Sequence, residues 1–207
     1  MSALVPRSDS DTVSAPRCPV ATLSQLQGAQ HAAPQSVTSG NIKASVGADG
    51  LLTFSRISDS KVLLAEKTLR WLGPAESVPP LPGFLGFNIT FKPSPGERFY
   101  GLGQHKTGQL DNAGLSFDLS PRNTEILIPV VHSSEGYSIL MNLPSLGTVD
   151  LDPVKGTTWQ LQSVLQADFW VATTGAEGAA AGGGVSPWAQ LQDSYANVCP
   201  QATSHCL

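Results

Sequence analysis

Short apolar or alternating runs, each ended by turn-forming residues, fill the middle of this chain and restrict the folds open to it. Their lengths and regular spacing are typical of strands that pack as two sheets. The composition agrees, because 20 glycines and 16 prolines with only 14% charged residues favour strands and turns over long solvent-facing helices. We therefore predict an all-β protein, an antiparallel β-sandwich with a short C-terminal helix. The runs after residue 114 are 115–119, 125–131, 137–142, 147–151, 157–165 and 167–173.

Two tight turns near the start of the patterned region predict a meander of antiparallel strands. Asp49-Gly50 is a strong hairpin signal, and it separates the alternating run 41–46 from the run 51–57. A second turn at residues 58–60 leads into the apolar run 61–66. These three runs are expected to be consecutive strands of one sheet.

Prolines and glycines mark the places where the strand pattern is interrupted. The proline-rich segment 77–83 lacks the N–H donors of a strand ladder, so we expect a connection there, followed by a strand at 84–92. Gly101 and Gly103 follow Phe99 and Tyr100, which predicts a sharp turn or a close approach to another backbone, with both rings in the core. A Gly-Leu-Gly without a third glycine and a following helix is a poor match to a dinucleotide-binding motif.

Shifts in composition divide the chain into four parts. Residues 1–34, rich in Ser, Ala, Pro and Gln, are expected to be a poorly ordered leader, and residues 35–174 the sandwich domain. Residues 175–186 have the composition of a Gly/Ala-rich linker, and residues 187–207 are expected to form a short helix and a divergent tail.

Charge, cysteines and apolar runs narrow the classes of function. A formal net charge of -4 with scattered Lys and Arg does not suit a phosphate backbone, so we expect no nucleic-acid partner. No run is long enough to cross a bilayer, and the first seven residues lack the apolar core of a secretory signal. We therefore expect no membrane partner and favour a cytoplasmic location. Cys18, Cys199 and Cys206 fit neither a disulfide framework nor paired zinc ligands, so we expect free thiols, no metal and no cofactor.

Three sequence elements appear in an order that is more specific than any one of them alone. They are Phe99-Tyr100-Gly101-Leu102-Gly103, Asn123-Thr124-Glu125 with Ile128-Pro129, and Ser133-Ser134-Glu135-Gly136-Tyr137. In this order they resemble the N-terminal β-sandwich of glycoside hydrolase family 31, in its α-xylosidase-like and α-glucosidase-like members. The resemblance covers roughly residues 40–197 and implies a galactose-mutarotase-like sandwich and an α-linked glycan or oligosaccharide as partner.

The resemblance also implies that the catalytic residues lie elsewhere. That family hydrolyses glycosides with two carboxylic acids on a TIM barrel that follows the sandwich. Here the match ends at Cys199-Pro200-Gln201, where relatives have a Thr-Gly-His-x-Pro passage. We therefore expect a chain truncated before the barrel, with no catalytic residue of its own, whose exposed sandwich face is covered in the complete enzyme by the barrel or by another partner.

One turn of the sandwich is implied to reach toward the sugar. The residues Ser120-Pro121-Arg122-Asn123 occupy the region from which the family sends a loop to its pocket, and Arg122 and Asn123 are the substrate-binding candidates. The alternative is an Asx-turn at Asn123 and a solvated Arg122, which is the commoner role of such residues.

Two rival hypotheses start from other side chains. An aldose mutarotase would need an acid–base set, for which His105, His132, Glu97, Glu125 and Asp118 are the candidates. A free-standing carbohydrate-binding or interaction module would need exposed rings for sugar stacking. The candidate rings are Trp71, Trp159, Trp170, Trp188, Tyr100 and Tyr137, most of which are expected in the core. Adjacent His205 and Cys206 lack the fixed geometry of a nucleophile and its base.

Overall fold

The computed structural model describes residues 35–73, 82–175 and 186–198. The predicted leader, most of the predicted connection and linker, the tail and all three cysteines therefore lie outside the described residues. Within these ranges the structure has twelve strands and one helix. They are β1 Gln35–Ser39, β2 Ile42–Val46, β3 Leu52–Arg56, β4 Val62–Leu72, β5 Leu85–Phe91, β6 Phe99–Gln104, β7 Ser116–Asp118, β8 Ile126–Ser133, β9 Tyr137–Met141, β10 Gly147–Asp152, β11 Gly156–Val164, β12 Phe169–Thr173 and α1 Pro187–Val198.

The strands form two antiparallel sheets, which confirms the predicted all-β sandwich. The large sheet has eight strands in the order β1-β2-β3-β4-β5-β11-β10-β7, and the small sheet has four in the order β12-β9-β8-β6. Side chains alternate between the two faces of each strand, so the inward rows of both sheets form one core. Phe54 and Phe91 of the large sheet meet Phe169 of the small sheet edge to face, at centroid distances of 6.2 and 6.1 Å.

The first hairpins follow from local turn chemistry, as the sequence predicts. Gly50 adopts a φ of 77°, which a side chain would disfavour, and the Asp49 carboxylate accepts a hydrogen bond from the amide of Leu51 at 3.1 Å. The next turn is closed in the same way, because the Asp59 carboxylate accepts a hydrogen bond from the amide of Lys61 at 3.0 Å. Because these turns fix the register, β2, β3 and β4 lie side by side.

The Gly-Leu-Gly element makes the predicted close approach to a neighbouring backbone. Gly101, Leu102 and Gly103 all have positive φ, at 104°, 65° and 90°. A Cβ on Gly103 would overlap the carbonyl oxygen of Ile126 on β8. The element therefore tolerates no side chain at its glycines, while Leu102 between them is fully buried.

The two rings that precede this element have different roles. Phe99 is buried in the core, as predicted, but the prediction was wrong for Tyr100, which lies on the outer face of the small sheet and is only half-buried. Its ring meets Trp188 of α1 at a centroid distance of 5.0 Å. Successive residues of a strand point to opposite faces, so Phe99 and Tyr100 cannot both reach the core.

Helix α1 packs on the small sheet, which confirms the short helix predicted near the end of the chain. Ser186 caps it by accepting a hydrogen bond from the amide of Ala189 at 3.2 Å, and Pro187 occupies the first turn, where its missing N–H costs nothing. Leu191 is buried, so it anchors the apolar side of the helix.

Candidate functional site

The turn that joins β7 to β8 carries both predicted substrate-binding residues. Arg122 and Asn123 are exposed, and the Arg122 carbonyl accepts a hydrogen bond from the Glu125 amide at 3.3 Å, which closes the turn. Thr124 has a φ of 71°, a conformation that is unusual for a β-branched residue. Strained backbone of this kind is held by its surroundings and is common at binding sites. We call residues 120–125 the site turn.

A pocket of about 290 Å³ lies against the site turn. Arg122 and Glu125 line it, together with Asp118 and His105, so the structure brings three residues of the hypothetical acid–base set to the predicted site. Asn123 is not among the lining residues. Sequence reasoning missed Lys106, Thr107 and Ser116, which lack a motif and reach the pocket only because the 105–107 segment folds beside β7.

Contacts between side chains hold the rim of this pocket. Arg122 and Asp118 form an ion pair, and the Lys106 ammonium donates to the Thr124 hydroxyl at 2.6 Å. A sugar-binding rim needs such fixed donors and acceptors. A general acid instead needs a carboxyl group that is screened from water, whereas the Asp118 side chain is 52% exposed and paired with the Arg122 guanidinium. The geometry suits hydrogen bonding better than proton transfer.

The fourth member of the hypothetical acid–base set, Glu97, lies in a different network. Its carboxylate accepts hydrogen bonds from the Ser133 hydroxyl and, at 2.6 Å, from the Tyr137 hydroxyl. Burial raises the pKa of Glu97 above its usual value, and burial together with the nearby Glu97 charge raises the pKa of Tyr137 well above its usual value. Two residues of the Ser-Ser-x-Gly-Tyr element therefore serve to satisfy a buried carboxylate.

A buried arginine explains the glycine of the same element. Arg56 is 0% exposed and donates to the Asp59 carboxylate at 2.9 Å, to the Glu135 carbonyl at 2.7 Å and to the Thr173 hydroxyl at 3.1 Å. A Cβ on Gly136 would lie 2.5 Å from an Arg56 nitrogen. Arg56 was not predicted as a buried residue, because the alternation of β3 predicts an apolar side chain at its position.

The fifth member of the set, His132, is also separate from the pocket. It lies on β8 opposite Tyr100 of β6, it is buried, and no described residue forms a hydrogen bond with its Nδ1. Burial lowers the pKa of His132, so the neutral ring is favoured. The acid–base set proposed for a mutarotase is thus divided among three places.

The candidate stacking rings do not form one platform. Trp159 is fully buried, whereas Trp71 and Trp188 are 42% and 43% exposed. Trp71 packs on Phe87 of the large sheet at 5.1 Å, and Trp188 belongs to the helix over the small sheet. Sugar stacking across both rings is therefore excluded by their positions.

Among residues 35–73, 82–175 and 186–198, no three His, Cys, Asp or Glu side chains are placed to hold a metal ion. Helix α1, the one helix in these ranges, is too short and too polar to span a bilayer.

Comparison with known proteins identifies sequence relatives over part of the chain. No family model matches. An α-xylosidase from Saccharolobus solfataricus is 43% identical over 90 residues, which are 39% of this chain and 12% of the relative. An uncharacterized family 31 glucosidase from Pseudescherichia vulneris is 33% identical over 93 residues, which are 44% of this chain and 17% of the relative. The match therefore spans less than a fifth of either relative.

Solved structures share the fold over most of the chain. A family 31 α-xylosidase from a soil metagenome, solved with xylose, has a TM-score of 0.59 and 26% identity, and covers 82% of this chain and 27% of that one. A xylosidase from Aspergillus niger has a TM-score of 0.61 at 20% identity, over 70% of this chain and 22% of that one, which shows the fold alone. Together, these comparisons show that the chain is similar, over part of its length, to α-xylosidases and glucosidases of glycoside hydrolase family 31 and shares the β-sandwich fold of their solved structures.

Proposed function

We propose that this sandwich is the non-catalytic domain of an α-glycosidase and that its site turn contacts an α-linked glycan. One observation carries the proposal: a polar pocket adjoins Arg122, one of the two residues, with Asn123, that the family resemblance selects from sequence. The relatives named above include α-xylosidases, one of them solved with xylose, which makes an α-xyloside the first ligand to test. An α-glucoside is the second.

The size and lining of the pocket suit a single sugar ring. Its volume of about 290 Å³ is at the lower end of small-molecule sites, which run from roughly 300 to 1,000 Å³. Hydroxyl groups of a sugar need both donors and acceptors, and Lys106 and Arg122 provide donors while Asp118 and Glu125 provide acceptors. The pocket is open on one side, so a longer glycan can extend beyond it.

In this proposal, residues outside the described sandwich carry out hydrolysis. Retaining glycosidases need a carboxylate nucleophile and a second carboxylic acid about 5 Å from it. At the pocket, the Asp118 carboxylate is paired with the Arg122 guanidinium, and the Glu125 carboxylate lies 3.8 Å from Nδ1 of His105. Glu97 is committed to Ser133. In the proposed complete enzyme, a barrel supplies the reacting pair.

An uncovered apolar area is the proposed contact with that barrel. Leu69, Trp71 and Leu85 are on the inward rows of β4 and β5, yet each is more than a third exposed. Leu85 pairs with Val164, and the same end of the sandwich has a pocket of about 400 Å³ lined by further apolar side chains. An apolar surface of this kind favours association with another surface.

Isothermal titration calorimetry with methyl α-D-xylopyranoside tests the proposed sugar contact. The 207-residue chain should bind it saturably, and Arg122→Ala should weaken binding about ten-fold or more, because a charged hydrogen-bond donor is lost. Arg98→Ala removes an exposed arginine of another connection and serves as the matched control. Equal affinity in all three proteins, or no saturable binding by the unaltered chain, would refute the sugar contact.

A stand-alone carbohydrate-binding module is the second candidate function. The observation in its favour is the Trp188 ring beside Tyr100, next to a smaller pocket of about 170 Å³ that Tyr100 lines. In that case Trp188→Ala, and not Arg122→Ala, would remove glycan binding, since stacking on an exposed ring would supply the affinity.

A further inference from the structure

Thr124 adopts a backbone conformation that the local sequence does not favour. It is the third residue of the tight turn 122–125, which the hydrogen bond between the Arg122 carbonyl and the Glu125 amide closes, and its φ is 71°. Asn123, the residue before it, does not have a positive φ. A turn with a positive φ at its third residue alone favours Gly or Asn there and disfavours a β-branched side chain. A contact from another part of the fold is therefore needed to hold this conformation.

Lys106 provides such a contact. Its ammonium Nζ donates a hydrogen bond to the Thr124 hydroxyl oxygen at 2.6 Å, across 18 positions of the sequence. Lys106 follows β6, so this bond joins the connection after β6 to the site turn. The direction of the Thr124 side chain depends on the backbone angles of Thr124, and a hydrogen bond weakens steeply when its atoms are misaligned. The bond therefore favours the turn conformation in which the ammonium and the hydroxyl meet.

We propose that Lys106 is a positioning residue, which holds Thr124 in its left-handed conformation by bonding the Thr124 hydroxyl and so fixes the site turn that carries Arg122. The role of Arg122 in sugar contact rests on the proposed function, whereas the positioning of the turn does not. Thr124 is not among the residues that line the pocket. Its hydroxyl therefore acts on a bound sugar through the turn and not by direct contact.

Two side-chain contacts hold the site turn, and they act on different parts of it. The Asp118 carboxylate pairs with the Arg122 guanidinium, a contact between residues four positions apart in the same segment. That ion pair places the Arg122 side chain but does not act on the backbone of Thr124. The bond from Lys106 acts on Thr124 itself and comes from a distant part of the sequence. Loss of the Lys106 donor should therefore loosen the backbone of the turn even while the ion pair remains.

Hydrogen exchange at the Glu125 amide tests the proposal without a ligand, because that amide closes the turn and exchanges when the turn opens. Lys106→Met keeps an apolar stem and removes the donor, and Thr124→Val keeps the branched shape and removes the acceptor. Each should lower the protection factor of the Glu125 amide by about two- to five-fold, as for the loss of one exposed hydrogen bond. The double variant should lower it no further, because both changes break the same bond.

Two controls separate this role from a general effect of the substitutions. Thr124→Ser keeps the hydroxyl and should keep the protection of the Glu125 amide. Lys67→Met removes another exposed lysine that donates a hydrogen bond, from its Nζ to the Lys155 carbonyl at 3.0 Å, and should leave Glu125 unaffected. The inference is overturned if Lys106→Met or Thr124→Val leaves the protection of Glu125 unchanged, if their losses add in the double variant, or if Lys67→Met lowers it as much.

Calorimetry with methyl α-D-xylopyranoside separates this result from the fate of the proposed function. Weaker sugar binding by Thr124→Val that Thr124→Ser restores supports both, since Thr124 does not line the pocket. A loss of Glu125 protection without any sugar binding by the unaltered chain supports the positioning role and refutes the sugar contact. Unchanged protection in a chain that binds the sugar refutes the positioning role alone.

Discussion

At the scale of single residues, two buried charged side chains, Arg56 and Glu97, explain the Ser-Ser-x-Gly-Tyr element at residues 133–137. Arg56 and Glu97 are both buried, and such groups are tolerated only where hydrogen bonds replace the water they lose. Ser133 and Tyr137 provide those bonds to Glu97, and Gly136 leaves the space that Arg56 fills. These residues define the interior of the domain, whereas the site turn presents its charges to solvent.

The first prediction concerns close approach at glycine. Gly103→Ala places a methyl group against the β8 backbone at a φ of 90°, so we expect the free energy of unfolding to fall by about 3 kcal/mol or more. Gly108→Ala is the matched control: its φ of 69° is similar, but no atom of the described residues beyond its chain neighbours lies within 4 Å of an added Cβ, so it should cost only about 1 kcal/mol. Urea unfolding measures both, and equal losses would contradict the overlap.

The second prediction concerns the pH dependence that Glu97 gives to stability. Burial raises the pKa of Glu97 in the folded protein above the usual 4.5. Its contribution to the free energy of unfolding is therefore complete below pH 4.5 and declines as pH rises through the folded-state value. Glu97→Gln cannot ionise and lacks this decline.

Urea unfolding of both proteins between pH 4 and pH 7 tests the sign. The free energy of unfolding of the unaltered chain, minus that of Glu97→Gln, should fall as pH rises. A difference that stays constant or grows with pH would show that Glu97 is not held in the environment described above.

At the scale of elements, the third prediction is that Leu191 anchors helix α1 on the small sheet. Leu191 is buried whereas Gln192, its neighbour on the helix, is exposed. Leu191→Ala should therefore lower the free energy of unfolding by about 2 kcal/mol and increase amide exchange in the helix, while Gln192→Ala should change neither. If the two variants behave alike, α1 is not anchored on the sheet.

Elements with strong local signals were predictable from sequence, and the others depend on distant contacts. The hairpin at Asp49-Gly50 was predicted because the turn residues themselves set its geometry. For β6 the sequence predicted only a sharp turn or a close approach, because glycines are uncommon inside strands. In the structure β6 is a strand, and its pairing with β8 shifts register between Gly101 and Gly103. Strand β1 was not predicted, because its polar residues form an exposed edge.

The candidate site shows the same division. Arg122 and Asn123 were selected through the family resemblance, and Arg122 lines a pocket whereas Asn123 does not. The pocket residues Lys106 and Thr107 were missed, because they are close to Arg122 only after β6 and β8 have paired. Arg56 was missed for a different reason. Strands are predicted from apolar side chains at inward positions, and a charged side chain at such a position contradicts that pattern.

At the scale of the whole molecule, the two sheets differ in size, and the two proposed contact surfaces lie at different places along the large sheet. The large sheet extends beyond the four-stranded sheet, which leaves Leu69, Trp71 and Leu85 partly exposed for the proposed contact with a barrel. The polar pocket lies elsewhere, beside β7 at the edge of the large sheet. A domain arranged in this way can dock on a catalytic unit with one surface and touch the sugar with another.

Release of p-nitrophenol from p-nitrophenyl α-D-xylopyranoside by the purified 207-residue chain tests the central proposal, that the carboxylates of this sandwich do not hydrolyse an α-glycoside. The account predicts a rate equal to that of buffer, in the unaltered chain and in a Asp118→Asn, Glu125→Gln double variant alike. Release above the buffer rate that the double variant abolishes would contradict it, because the two pocket carboxylates would then be performing hydrolysis.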